Sequence, residues 1–154
     1  LRANDGYKFN VDSDDWVDPR NDELWNSGSE SNPVKTDYDP CPDGWRVPTY
    51  AELSELSKNH SSWTTDENGQ VGYWFSGAST YTETVPQVFF PAAGFRYSHG
   101  GDASKRGSSG CYLSSRPYYS RYEYKAYYLD FDDGSADMSH YYRARGYSVR
   151  CVQE

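Results

Sequence analysis

The side chains in this chain best equipped to do chemistry are tyrosines. Ten of the sixteen fall within residues 112–147, interleaved with Arg, Ser, Asp and His. The chemistry this mixture suits is recognition: tyrosine brings a large rigid face and a hydroxyl at low conformational-entropy cost, and Ser, Asp and Arg add adaptable hydrogen bonds. The candidate ligand-binding residues are Arg116, Tyr118, Tyr119, Arg121, Tyr122, Tyr124, His140, Tyr141, Tyr142, Arg143 and Arg145. The aromatic faces would give contact area, and the arginines would supply forked hydrogen bonds. An ordinary tyrosine-rich sheet is the competing reading. Strict alternation buries only every second residue, however, and the pairs Tyr118-Tyr119 and Tyr141-Tyr142 place rings on both faces of a strand.

Catalytic chemistry finds no comparable support. Scattered Ser and His residues form no nucleophile elbow or triad signature, so no enzyme is expected. Cys41, Cys111 and Cys151 lack CxxC spacing, and only His60, His99 and His140 could accompany them, which argues against zinc and for one disulfide plus one odd thiol. Asp12, Asp14, Asp18 and Glu23 fall at positions 1, 3, 7 and 12 of a notional calcium loop. Val17 replaces its glycine and Trp16 occupies a ligand position, so the segment reads as a solvated acidic loop. No metal and no cofactor are expected.

A chain of 154 residues suits one domain. It is polar, with 36% hydrophobic residues, yet 18% aromatics and five Trp supply the bulky core material that disordered chains lack. The net charge of -8 is uneven. Residues 1–50 carry eleven acids against five bases, whereas from Phe95 onward nine Lys and Arg face seven Asp and Glu, so basic groups collect where the tyrosines do. That slight excess is too small a footprint for nucleic acid. No stretch reaches the roughly 18 apolar residues that span a bilayer, and Leu1-Arg2-Ala3-Asn4-Asp5 resembles neither a signal peptide nor an initiator segment. The expectation is a monomeric domain excised from a longer protein, reaching a membrane only through an upstream anchor.

The elements that must position these side chains are short. Asn4 to Asp39 reads as loop, with Tyr7 to Val11 as a weak first strand. Tyr50 to Lys58 is the clearest helix, with Thr49 as N-cap, Glu52 at the reciprocal position, and Leu53 and Leu56 facing inward. Strands are predicted at Gly72 to Phe75, Val88 to Phe90, Gly110 to Leu113, Ala126 to Phe131 and Tyr147 to Val152. In the last, Tyr147, Val149 and Cys151 would share one face. Residues 97–109, 114–125 and 132–146 read as irregular, the last two projecting beyond the sheet as functional loops.

Several ordered blocks carry a resemblance. Cys41-Pro42-Asp43-Gly44-Trp45-Arg46-Val47-Pro48-Thr49 leading into Ala51-Glu52-Leu53, then Phe90 to Arg96, Gly107 to Gly110 with Tyr112 and Ser114-Ser115, Ala126 to Phe131, and Gly146 to Val152 resemble the frame of FISUMP domains, bacterial surface modules with a C-type lectin-like fold. The resemblance covers about residues 33–152. It implies an α+β C-type lectin-like fold of the formylglycine-generating-enzyme-like branch, with short helices around small antiparallel sheets and long loops, on an extracellular or cell-surface protein. It also implies a disulfide between Cys41 and Cys151, leaving Cys111 as the odd thiol. Pro42 and Pro48 bracket a stiff turn expected to plant Trp45 in the core. The cysteine pair of formylglycine-generating enzymes has no equivalent motif here, and the sugar-coordinating triplets of calcium-dependent lectins are absent.

Some proteins of this fold are targets of diversity-generating retroelements, which rewrite adenine positions in a C-terminal stretch of the gene. This chain is similar to such a target. Cys111, Arg116, Tyr118, Tyr119, Ser120, Arg121, Tyr122, Tyr124, Asp132, His140, Tyr141, Tyr142 and Arg145 are all reachable from rewritten Asn codons, whereas Glu123, Lys125 and Met138 are not. Residues 108–147 are thus the candidate variable region, and its implied partner is a protein or glycan on another surface. A structural tip module of a fibre, with the tyrosines buried between subunits, and a calcium-independent glycan-binding module are the alternatives.

Overall fold

The computed structural model describes residues 14–17, 19–58, 60–66, 68–76, 86–121 and 123–154. The suggested strand at Tyr7 to Val11, and Asp12 and Asp18 of the notional calcium loop, lie outside them. In chain order the elements are β1 (Trp45–Arg46), α1 (Tyr50–Lys58), β2 (His60–Thr65), β3 (Val71–Ser76), β4 (Gln87–Pro91), β5 (Phe95–Arg96), β6 (Ala103–Ser104), β7 (Gly110–Tyr118), β8 (Lys125–Phe131), β9 (Ala136–Tyr142) and β10 (Val152–Gln153). They pair as four small antiparallel sheets, β1-β10, β2-β3-β4, β5-β6 and β7-β8-β9.

The helix forms as its sequence dictates. The Thr49 hydroxyl accepts from the Glu52 N–H at 3.3 Å and the Glu52 carboxylate accepts from the Thr49 N–H at 2.8 Å, a reciprocal capping box. Arg46 doubles the clamp, donating to both Glu52 oxygens at 2.7 and 2.8 Å. Leu53 is buried, and Leu56 packs against the same cluster. Lys58 in the last turn complements the negative end of the helix.

The sheet β7-β8-β9 sorts its side chains by strand alternation into two cores. One face carries Tyr112, Leu129, Phe131 and Ala136, which meet Leu53 of α1 and the aromatics Tyr73, Phe75 and Phe90 of the second sheet. The other carries Cys111, Leu113, Ala126 and Tyr128, packed with Phe95, Tyr147, Val149 and the stacked pair Trp16 and Trp25. Gly110 is required where the first core is tightest, because a Cβ there would lie 2.0 Å from the Phe131 ring. Gly94, at φ +68°, turns the chain beside the Ser104 carbonyl, which a Cβ would meet at 2.1 Å.

Three expectations are corrected. Residues 114–125 are not a projecting loop, since β7 runs on to Tyr118 through a register shift between Leu113 and Pro117. Nor are residues 132–146: Asp132 to Ser135 make a tight turn, and Ala136 to Tyr142 return as β9 in continuous register with β8. Ala136, Met138, His140 and Tyr142 lie on the face of the first core, and Asp137, Ser139 and Tyr141 on that of the second. Trp45 is not a core residue. It is 44% exposed on β1, and the buried positions of that turn are Val47 and Pro48, with the Val47 N–H held by Asp39 at 2.9 Å.

The C-terminal segment is less regular than its alternation predicts. Only Val152–Gln153 is a strand, although Tyr147 and Val149 do share a core face and Ser148 bridges to Tyr112. Cys41 and Cys151 are joined, 110 residues apart, with Cα atoms 5.8 Å apart. The bond ties the segment before β1 to the one before β10, and Cys111 remains a buried free thiol.

Candidate functional site

The end of β7-β8-β9 farthest from Phe131 gathers most of the sequence-predicted residues. Tyr118, Lys125 and Tyr142 occupy one row across the three strands, and the Lys125 ammonium stands 5.9 Å from the first ring and 5.4 Å from the second. The next row on that face pairs Tyr127 with His140. The His140 ring stacks on Tyr118 at 4.0 Å and meets Tyr127 edge-on at 5.8 Å. Arg116 lies over Tyr127 and over Tyr50, the first residue of α1, at 5.5 and 5.1 Å. The result is a continuous strip of rings with cations laid on their faces, where each such contact is worth about 0.5–1 kcal/mol.

The most open members stand beyond the strip. Tyr119 is 73% exposed and Tyr124 42%, with the Arg20 guanidinium 5.9 Å from the Tyr124 ring. Arg121 is exposed in the same connection between β7 and β8. Tyr122, predicted to belong with them, lies outside the described residues. Glu123 pairs with Lys125 at 2.7 Å, which lowers the carboxyl and raises the ammonium from their ordinary values chiefly through that hydrogen bond.

Tyr141 and Arg145 belong to the opposite face. The Arg145 guanidinium lies 3.6 Å from the Tyr141 ring centroid, 4.7 Å from Phe95 and 5.4 Å from Tyr97. Tyr141 and Tyr142 meet edge to face at 5.2 Å, joining the two faces at the end of β9.

Arg143 is a correction to the predicted set. It is 3% exposed, and its guanidinium donates to the Lys125 carbonyl, the Asn21 carbonyl and the Asp22 carboxylate, with Asp15 at 3.6 Å. A charge so enclosed serves packing of the segment around Trp16 and Trp25, not a ligand. Burial pushes the Asp15 carboxyl up despite Arg143. Burial also acts upward on Asp22, but hydrogen bonds from Arg20 and Arg143 outweigh it and hold that carboxyl low.

The described tyrosines of residues 112–147 therefore divide by burial. Tyr112 and Tyr128 are core: the Tyr112 hydroxyl donates to the Pro91 carbonyl at 2.8 Å, and Tyr128 stacks on Tyr147 at 4.4 Å. Burial raises the Tyr112 phenol to about 12. Tyr50, Tyr97 and Tyr127 join the surface clusters, and the core residue Phe95 meets Arg145, although sequence reasoning did not name them. Tyr127 could have been found from its alternation with buried Ala126 and Tyr128, whereas Tyr50, Phe95 and Tyr97 arrive through tertiary packing alone.

Among the described residues no group of three His, Cys, Asp or Glu side chains is placed to hold a metal ion, and no helix is long and apolar enough to cross a membrane. Fold and site together define a small, disulfide-closed α+β domain that carries an aromatic and cationic surface at one end of its central sheet. The model of a domain of unknown function, DUF8237, matches residues 52–152, and the chain belongs to that family. No curated protein and no solved structure matches the chain.

Proposed function

We propose that this domain is an extracellular ligand-binding module of C-type lectin-like fold, of the FISUMP type, which recognises a macromolecular partner through the open end of β7-β8-β9. The observation that carries this reading is the split among the tyrosines. Tyr119, Tyr124, Tyr118 and Tyr142 stand outside the two cores, arrayed with Lys125, Arg116 and His140, while the sheet beneath them is already filled by Tyr112, Tyr128, Leu129 and Phe131. Rings that the core does not need, Tyr118 and Tyr142 on strands and Tyr119 and Tyr124 on the connection between β7 and β8, are what a recognition surface requires.

Three further features support the finer parts of the reading. The chain brings its early segment beside its last strand through β1-β10, as the resemblance to C-type lectin-like domains implies. The disulfide suits an oxidising compartment outside the cell. The retroelement reading is favoured by where several of the candidate rewritten residues sit: Tyr119, Arg121 and Tyr124 line the connection after β7, and His140, Tyr141, Tyr142 and Arg145 lie at the end of β9 and just after it, whereas Cys111 of the same set is buried in the second core. The domain is read as a binder and not an enzyme.

The test is the double substitution Tyr119→Ala with Tyr142→Ala. Binding to a ligand captured with the wild-type domain is expected to be lost, and the melting temperature to stay within a few degrees. Unfolding of the double variant would return these tyrosines to the core and sink the proposal. Self-association of the wild-type domain that the same pair abolishes would favour the fibre-module alternative.

A further inference from the structure

We propose that Arg145 is the seat for a carboxylate of an acidic protein segment, clasped for that purpose by Phe95, Tyr97 and Tyr141. The inference rests on the ligand-binding reading and names the chemistry its second face would recognise. Arg20, Arg46, Arg116 and Arg143 each stand within 4.0 Å of a carboxylate, but Arg145 forms no ion pair among the described residues. Among the described residues its one side-chain hydrogen bond is long, 3.4 Å from Nη1 to the Tyr147 hydroxyl, and its Nε is buried without an acceptor. Nη2 has no hydrogen-bond partner among the described residues, which leaves it to take an acceptor.

Three rings around a guanidinium cover its faces and fix its plane, leaving the N–H edge as the direction for a partner. A planar acceptor with two oxygens is the complement of such an edge, and a charge-assisted fork is roughly twice as strong as a neutral hydrogen bond. Arg96 bridges to Gly146, next to Arg145, and Lys105 follows β6; the acids on this side are Asp102, Asp130 with its cross-strand neighbour Asp137, and Asp14, whose carbonyl accepts from the Ala144 N–H, and among the described residues none of them pairs with Arg145. The Tyr141 face is occupied by the guanidinium at 3.6 Å, so it offers no open platform for a sugar ring to stack on. That arrangement favours a protein carboxylate over an acidic glycan.

The experiment is a titration of the nitrogen-15-labelled domain, followed by NMR, with three probes: a capped Gly-Gly-Glu-Gly-Gly peptide, its Gln counterpart, and glucuronate. The expected result is a saturable shift of the Arg145 Nε–Hε signal and the Tyr97 amide with the Glu peptide, at least about fivefold weaker with the Gln peptide. Arg145→Gln should abolish it, and Arg145→Lys, which keeps the charge without the fork, should weaken it. The lysine variant carries the test if the glutamine variant fails to fold. No shift, or equal shifts with Glu and Gln peptides, overturns the inference, and tighter binding of glucuronate overturns the choice of a protein partner. The two readings fail separately. Ligand binding that survives Tyr119→Ala with Tyr142→Ala removes the tyrosine surface but not the Arg145 shift, whereas a silent Arg145 beside a binding-dead double variant removes only this inference.

Discussion

The Arg143 guanidinium donates to the Asp22 carboxylate across 121 residues of sequence, fastening the segment that carries Trp16 and Trp25 to the end of the central sheet. Asp15 lies 3.6 Å from the same arginine, and both side chains are almost fully buried. Removing one partner of such a pair leaves an uncompensated charge inside. Arg143→Ala is therefore expected to cost about 3–5 kcal/mol in urea denaturation, whereas Arg121→Ala, on the exposed connection, should cost less than about 0.5 kcal/mol. Equal stabilities for the two variants would remove Arg143 from its structural role.

Glu52 couples the helix cap to pH. Hydrogen bonds from Arg46, opposed by burial and aided by the Thr49 N–H, hold its carboxyl below the ordinary value of 4.5. A carboxyl depressed in the folded state contributes stability above its unfolded pKa and loses it as pH falls through the folded one. Glu52→Gln should thus cost about 1 kcal/mol at neutral pH, with the gap in melting temperature between variant and wild type closing in acid. A gap that is constant from neutral to acid pH would contradict the linkage.

Cys111 is predicted to be inert. Burial first, then the neighbouring Asp130 carboxylate, pushes its thiol up to about 12, so almost no thiolate exists near neutral pH. Labelling with a thiol-reactive disulfide reagent should follow global unfolding under native conditions and become immediate in denaturant. Immediate labelling of the native domain would place Cys111 at the surface.

Cys41→Ser with Cys151→Ser opens a bridge that spans 110 residues. The expected loss is about 2–5 kcal/mol, read from the denaturant midpoint in the absence of reductant. Wild-type protein treated with reductant should approach the variant's midpoint, and an unchanged midpoint in both would show that the β1-β10 pairing holds without the bridge.

How much was legible varied with the range of the interaction. The helix and its Thr49-Glu52 cap were readable because capping is settled within four residues, and the strands Val71–Ser76, Gln87–Pro91 and Lys125–Phe131 because their apolar runs are short and bounded. β9 was missed since Ala136 to Tyr142 mixes Asp, Ser and His into its alternation, and only pairing with β8 makes it a strand. Trp45 was misplaced because the bracket of Pro42 and Pro48 stiffens the turn without fixing which of its side chains faces inward, and the two-residue β1 leaves the Trp45 ring exposed. Arg143 was misassigned for the opposite reason. Its acidic partners lie more than 100 residues away, so nothing near it in the chain distinguishes it from Arg145 two positions on.

The proposed division is that the outer tyrosines serve recognition while the inner ones serve folding. It is tested most directly by deep sequencing of this gene across a natural population, together with the DNA that flanks it. The prediction is substitution at adenine positions concentrated in the codons for Tyr118, Tyr119, Arg121, Tyr124, His140, Tyr141, Tyr142 and Arg145, with Tyr112, Tyr128 and Arg143 constant, beside a reverse-transcriptase gene and a near-copy of the codons for residues 108–147. Substitutions spread equally over the inner and outer tyrosines, with neither flanking element present, would contradict it.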